Sequence, residues 1–430
     1  MVYNRRKYVQ MLADRQWNGR IKVITGLRRS GKSTVLFDLF KTHLIENGVT
    51  PDRIVEIALD IDENEKYRDP YELSRFVREK CTDTNTKYYL FLDEIQYAVS
   101  KEELKSHDEP VRLYSVLNGF LHMRNIDVYV TGSNSKLLSK DVSTEFRGRG
   151  DTVRVYPLTF SEFLEFSGID KRSAYDEYLM FGGMPYLLSL DTDDKKYDYL
   201  ANLFEEVYYK DIEERYDIRL PGVLRELTGS LCSSIGSLTN ASKISRTVSS
   251  VKGIKADPET INAYLTYLTD SFLFSKAERF DIKGKRYFEY PSKYYAADVG
   301  LRNVRLGLRQ QEEPHIIENV IYNELVCRGF RIDVGNIETV ERNHEGRRVQ
   351  KNLEVDFVAR KGSKKYYIQS ALNVDNEEKA EMELKSLLSI DDSFKKIIIS
   401  KSYGKSWTDE KGILRLGLMD FLTDETSIDR

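Results

Sequence analysis

Short apolar runs alternating with stretches of helical spacing fill the first 150 residues. Ile21-Lys22-Val23-Ile24-Thr25, Arg53–Asp60, Lys87–Ile95 and Asp127–Asn134 read as strands, each rich in β-branched or aromatic residues. Helix-like stretches intervene at Ser33–Phe40, Tyr71–Lys80 and Val111–Leu121. Strands that alternate with helices predict a mainly parallel sheet covered on both faces, with ligands gathered at the carboxyl ends of the strands. The pattern then changes. Leu224–Ile235, a second run from Asn240 and a third opened by Asp257-Pro258-Glu259-Thr260 carry apolar residues at helical spacing, including Ile261, Tyr264, Leu265 and Leu268. Phe272-Leu273-Phe274 and Tyr287–Tyr290 are expected to pair around a Lys283-Gly284-Lys285 turn, which predicts a winged helix-turn-helix.

Three motifs fall on the carboxyl edge of the predicted sheet. Gly26-Leu27-Arg28-Arg29-Ser30-Gly31-Lys32-Ser33 fits the phosphate-loop pattern G-x-x-x-x-G-K-[ST], between a strand and a helix that Thr34 continues. Glycines let backbone N–H groups curl around phosphates, and the helix N-terminus adds its positive dipole. Lys32 is expected to reach the β- and γ-phosphates, and the Ser33 hydroxyl to ligate Mg²⁺. Asp93 closes a buried apolar run and is expected to hold Mg²⁺ as well. Glu94 beside it is the candidate base for the attacking water. Ser133 and Asn134, at the end of the fourth strand, are candidates to hydrogen-bond the γ-phosphate or its water.

These motifs, with Thr131-Gly132-Ser133-Asn134-Ser135, Phe146-Arg147-Gly148-Arg149 and Val155–Phe163, resemble a large prokaryotic family of AAA-type ATPases fused to a restriction-endonuclease-like domain. Phe181-Gly182-Gly183-Met184-Pro185 and Tyr209–Tyr216 are similar to its middle signatures. The resemblance covers nearly the whole chain. It implies an α/β protein with an AAA-type P-loop domain over 1–165, a helical lid or linker over 166–218, the winged helix-turn-helix over 219–305 and a restriction-endonuclease-like domain over 306–430. It also makes Arg149 the candidate arginine finger or sensor, with Arg147 as a flanking alternative. ATP and Mg²⁺ are the implied cofactors.

A restriction-endonuclease-like site needs a helix carboxylate, a strand Asp and Glu-x-Lys on the partner strand, where carboxylates bind Mg²⁺ and the lysine positions water. Glu318, on a predicted helix, and Glu354 and Asp356, on a strand, supply the acids. A two-residue turn at Gly362-Ser363 would set Asp356 opposite Gln369 and Glu354 opposite Ala371, all four on one face. Gln369 then stands where the motif wants Glu, and Ala371 where it wants Lys. The expectation is a vestigial site at Glu318, Glu354, Asp356 and Gln369, with altered or absent cleavage.

At 430 residues the chain is long enough for two or three domains, and its hydrophobic fraction of 40% suffices for real cores. No apolar run approaches the ~20 residues that span a bilayer. Three widely spaced cysteines make neither a metal-ligand pattern nor a disulfide framework, so the expectation is a cytoplasmic protein without a membrane partner. Net charge is −3, yet residues 219–309 hold 15 Lys and Arg against 8 Asp and Glu, which makes that segment the candidate DNA reader. Three functions stay open: an ATPase driving rearrangement of its attached domains, a nucleotide-gated switch with little turnover, and an ATP-regulated DNA nuclease. An arginine finger usually serves a neighbouring subunit, so a homo-oligomer is expected.

Overall fold

A computed structural model describes residues 3–100, 103, 111–132, 149–252, 256–309, 312–342, 348–372, 384–402 and 404–430. Ser133, Asn134 and Arg147 lie outside the described residues. The chain divides into two compact units, one formed mainly by Met1–Pro157, the other by Leu158–Glu213, Ile218–Thr269 and Leu273–Arg430.

In the first unit, β1 (Ile21–Thr25), β2 (Ile54–Ala58), β3 (Tyr88–Asp93), β4 (Ile126–Gly132) and β5 (Gly150–Arg154) form a five-stranded sheet in the order β2-β3-β4-β1-β5. Every pairing is parallel. Alternate residues sort onto two apolar layers. Val23, Leu90, Leu92, Val128 and Val130 belong to one core cluster. Ile24, Phe91 and Tyr129 belong to the other, against Val35, Leu36 and Phe40 of the helix after β1. Strands buried on both faces explain why these runs read as almost continuously apolar. Lys22 and Asp127 are exceptions: the Lys22 ammonium, fully buried, pairs with Asp127, which also accepts the Tyr129 hydroxyl at 2.8 Å.

The second unit carries an eight-stranded sheet. Its strands are β6 (Phe274–Asp281), β7 (Arg286–Ala296), β8 (Arg331–Arg342), β9 (Arg348–Lys361), β10 (Lys364–Ala371), β11 (Lys395–Ser400), β12 (Trp407–Thr408) and β13 (Ile413–Gly417), ordered β12-β13-β11-β10-β9-β8-β6-β7. Helix Glu313–Cys327 contributes Ile316, Ile317, Val320 and Ile321 to the core cluster that holds Phe357, Ile368, Ile397 and Leu416 of this sheet.

The three middle helices form at Pro221–Ser233, Ala241–Lys252 and Pro258–Asp270, and an antiparallel hairpin, β6–β7, follows them. The hairpin is not a separate wing. Arg279, Phe280 and Asp281 of β6 pair in parallel with Val334, Gly335 and Asn336 of β8, so the hairpin extends the carboxyl-terminal sheet. Period-two patterning predicts a strand and its exposed edge, but cannot say which distant strand satisfies that edge.

Candidate nucleotide site

The phosphate loop leaves the carboxyl end of β1. Gly26 sits at φ +141°, and a Cβ there would lie 2.1 Å from the Val155 carbonyl oxygen, so only glycine fits. Arg29 and Gly31 also have positive φ, at 68° and 94°, which curls the backbone of this segment. The Ser30 carbonyl is held by a residue the motif does not include. The buried Arg5 guanidinium donates to Ser30 O at 3.1 Å and to Tyr156 O at 2.8 Å, tying the loop to the segment after β5. Lys32 is buried, with Nζ donating to Gly26 O at 3.3 Å and Leu27 O at 3.2 Å. Its ammonium thus lies within the curl of the loop.

Asp93 closes β3 beside this loop. The Ser33 hydroxyl donates to Asp93 Oδ1 at 3.1 Å, and the Thr131 hydroxyl at the end of β4 donates to the same oxygen. Burial pushes the Asp93 carboxyl above the usual carboxylate range, partly offset by these two hydroxyls. A desolvated carboxylate touching the loop serine suits a hard divalent cation, so Ser33 and Asp93 fit Mg²⁺. Glu94 follows in the left-handed region, φ 50°, and its N–H donates to Thr131 Oγ1 at 3.0 Å. The Gln96 amide donates to its carboxylate. Lys32, Ser33, Asp93 and Glu94 are therefore gathered at one sheet edge. Thr131 is the residue that sequence reasoning passed over there: it lay in the strand-end motif, while the polar role went to Ser133 and Asn134.

Arg149 is not at that edge. It is exposed at the amino end of β5, where its carbonyl accepts the Ile21 N–H at 2.9 Å. The length of β1 separates it from the loop, roughly 16 Å for five residues.

The acids of the second unit also converge, around a lysine that the sequence placed with the nucleic-acid-binding charges. Lys293 Nζ of β7 lies 2.9 Å from Glu318 Oε1, 2.9 Å from Glu354 Oε1 and 3.5 Å from Asp356 Oδ1. Tyr295 OH donates to Glu318 Oε1 at 2.8 Å. Burial, with Glu318 alongside, pushes the Asp356 carboxyl above the usual carboxylate range, opposed by Lys293. The β9–β10 register sets Lys361 against Lys364 and Phe357 against Ile368, as a turn at Gly362-Ser363 requires. Side chains then continue the ladder: Asp356 N–H donates to Gln369 Oε1 at 3.3 Å, and Ser370 N–H to Asp356 Oδ2 at 2.9 Å.

The shared face expected for these residues is not fully realised. Pairing with β8 jumps from Val358 to Val355, an irregularity that breaks the period-two alternation at Asp356. Ala371 accordingly belongs to a core cluster with Val355, Val358 and Tyr367. The basic surplus of 219–309 is also partly internal. Arg302 is buried and donates to Cys232 O at 2.9 Å, and Arg305 donates to Tyr209 OH at 2.9 Å. Arg225 pairs with Glu213 at 2.6 Å, and Lys293 is committed to the acids. Composition counts charges but does not register their partners.

Comparison with known proteins finds a family for the part of the chain that carries the phosphate loop. A model of the AAA domain matches residues 18–164, and a domain of unknown function matches 172–312. An uncharacterised protein of Haemophilus influenzae is 31% identical over 98% of this chain and 98% of its own length. Another, from Methanocaldococcus jannaschii, is 30% identical over 85% of this chain and 78% of its own. Among solved structures, Cdc6p of Pyrobaculum aerophilum aligns with 72% of this chain and 94% of its own at 12% identity, with a TM-score of 0.31, too loose to bear on function. Among the described residues, no helix is long and apolar enough to cross a membrane. The chain belongs to the family these two uncharacterised proteins represent, and its amino-terminal part is an AAA-type P-loop ATPase domain.

Proposed function

We propose that this protein hydrolyses ATP at the Gly26–Thr34 loop and uses the cycle to rearrange the domains that follow. The observation that carries this reading is the convergence of Lys32, Ser33, Asp93, Thr131 and Glu94 at one sheet edge. Backbone N–H groups of the loop receive the phosphates, and the Lys32 ammonium exchanges its two loop carbonyls for phosphate oxygens. Ser33 and Asp93 would hold Mg²⁺, which supplies charge neutralisation to those oxygens. Glu94 takes the proton of the attacking water. Thr131 fixes both acids, donating to one side chain and accepting from the backbone of the other. Arg149 serves the nucleotide of a neighbouring copy.

Steady-state ATP turnover of Glu94→Gln tests this. A fall of about 10²–10⁴-fold with nucleotide binding retained is expected for loss of a general base. Turnover equal to wild type would falsify the assignment.

A nucleotide-gated switch is the second reading, favoured by the Gln96 amide, which engages the Glu94 carboxylate. DNA affinity measured with ATP, with ADP and without nucleotide separates the two. A strong nucleotide dependence with no DNA-stimulated turnover supports the switch. The exposed Lys243, Arg246, Lys283 and Lys285 are the residues of the middle segment best suited to phosphate contact.

A further inference from the structure

The resemblance to restriction endonucleases implies a divalent cation among Glu318, Glu354 and Asp356. The residues around these acids do not fit one. The Lys293 side chain is 3% exposed, and its ammonium lies between the three carboxylates, within 2.9 Å of two and 3.5 Å of the third. A divalent ion drawing ligands in to about 2.0–2.6 Å would have to share that small, desolvated volume with a fixed positive charge.

Other oxygens of the cluster are hydrogen-bonded as well. Glu318 Oε1 also accepts the Tyr295 hydroxyl, and Asp356 Oδ2 accepts the Ser370 N–H. The oxygen of Gln369, the one ligand its amide could offer, accepts the Asp356 N–H. Glu318 Oε2 lies against Gly236, where even a Cβ would come within 2.9 Å.

We infer that Lys293 is an internal counter-ion that takes the place of the divalent cation, so that this cluster binds no metal and joins β7, β9 and helix Glu313–Cys327 as a charge staple. The lysine reaches the cluster from β7, an edge strand of the sheet. Its neighbour Ser292 is bridged to Thr239, and Tyr294 O accepts the Gly236 N–H at 3.2 Å. The segment between the first two middle helices thus holds β7, and with it the ammonium, in place. A buried ammonium shared among three acids in this way is well paired, whereas removing it would leave carboxylates uncompensated.

The test is a Mn²⁺ titration of the full chain without nucleotide, followed by electron paramagnetic resonance. Wild type and Glu354→Gln, a half-exposed position, are expected to bind the same number of Mn²⁺ ions with unchanged affinity. Lys293→Met is expected to gain one Mn²⁺ per chain, and that site should vanish in Lys293→Met combined with Asp356→Asn. Loss of a Mn²⁺ from wild type on Glu354→Gln overturns the inference, as does a folded Lys293→Met that gains none. Should Lys293→Met fail to fold, the comparison of wild type with Glu354→Gln decides alone.

Discussion

Thr131 does two jobs with one hydroxyl, donating to Asp93 and accepting from the Glu94 N–H. Valine keeps the shape and removes both bonds, leaving a buried N–H without that acceptor and Asp93 with Ser33 as its remaining hydroxyl partner. Thr131→Val should lower stability by about 1–3 kcal/mol, the usual cost of an unsatisfied buried group. It should also depress ATP turnover at least tenfold, because both acids lose their positioning. Thermal unfolding and turnover measured on one preparation check this, and an active, fully stable variant would refute it. At this scale the phosphate loop was readable because its chemistry is contiguous: backbone curl, lysine and serine lie within eight positions. Thr131 and Arg5 were not, because their partners come from strands far along the chain.

At the scale of elements, the Phe181–Pro185 signature finds a physical cause in the cap of another helix. Asp298 caps Val299–Arg305 by accepting the Leu301 N–H, and also accepts the Gly183 N–H at 2.7 Å. A Cβ on Gly182 would come within 2.2 Å of Asp298, and one on Gly300 within 1.7 Å of the Phe181 carbonyl. Two glycine-bearing segments therefore interlock at backbone contact. Burial pushes the Asp298 carboxyl up to about 6, its backbone hydrogen bonds opposing this. A folded value above the unfolded one means that this group's stabilising share is full below about pH 4 and is lost as pH rises through about 6, on the order of 3 kcal/mol. Asp298→Asn lacks that titration but mispairs one N–H. Its deficit in melting temperature against wild type should therefore narrow between pH 4 and 7, and a constant deficit would show that the carboxyl does not titrate there. The positions of β1 to β4 and of the three middle helices followed from periodicity. The merging of β6–β7 into the larger sheet did not, since an edge strand reads alike whether exposed or paired.

For the whole molecule, Arg149 sets the main prediction. It lies at the opposite edge of the sheet from the loop that precedes Lys32, so a finger role requires a second copy of the chain. Arg149→Ala and Lys32→Ala should each lose turnover, by about 10³-fold or more for loss of a finger. Mixing the two should restore part of it, because an intact loop then meets an intact finger across a subunit boundary. No recovery in the mixture, with native mass showing a monomer in a slowly hydrolysed ATP analogue, would remove the oligomeric reading.

The amino-acid sequence by itself determined four strands of the first unit's parallel sheet, though not β5, together with the phosphate loop, the Asp93-Glu94 pair and the β9–β10 register. The loop, the acidic pair and the hairpin register depend on neighbours a few residues away, through turn length or backbone curl, and the parallel sheet shows in the alternation of strand and helix patterns. Tertiary structure alone decided where charges meet. Lys293 and Glu318 are 25 positions apart, and Lys293 and Asp356 are 63 apart. Nothing local in a basic segment distinguishes an ammonium bound for phosphate from one bound for buried acids. That choice is made by which strands pair, because a charge leaves water only where packing delivers its partners.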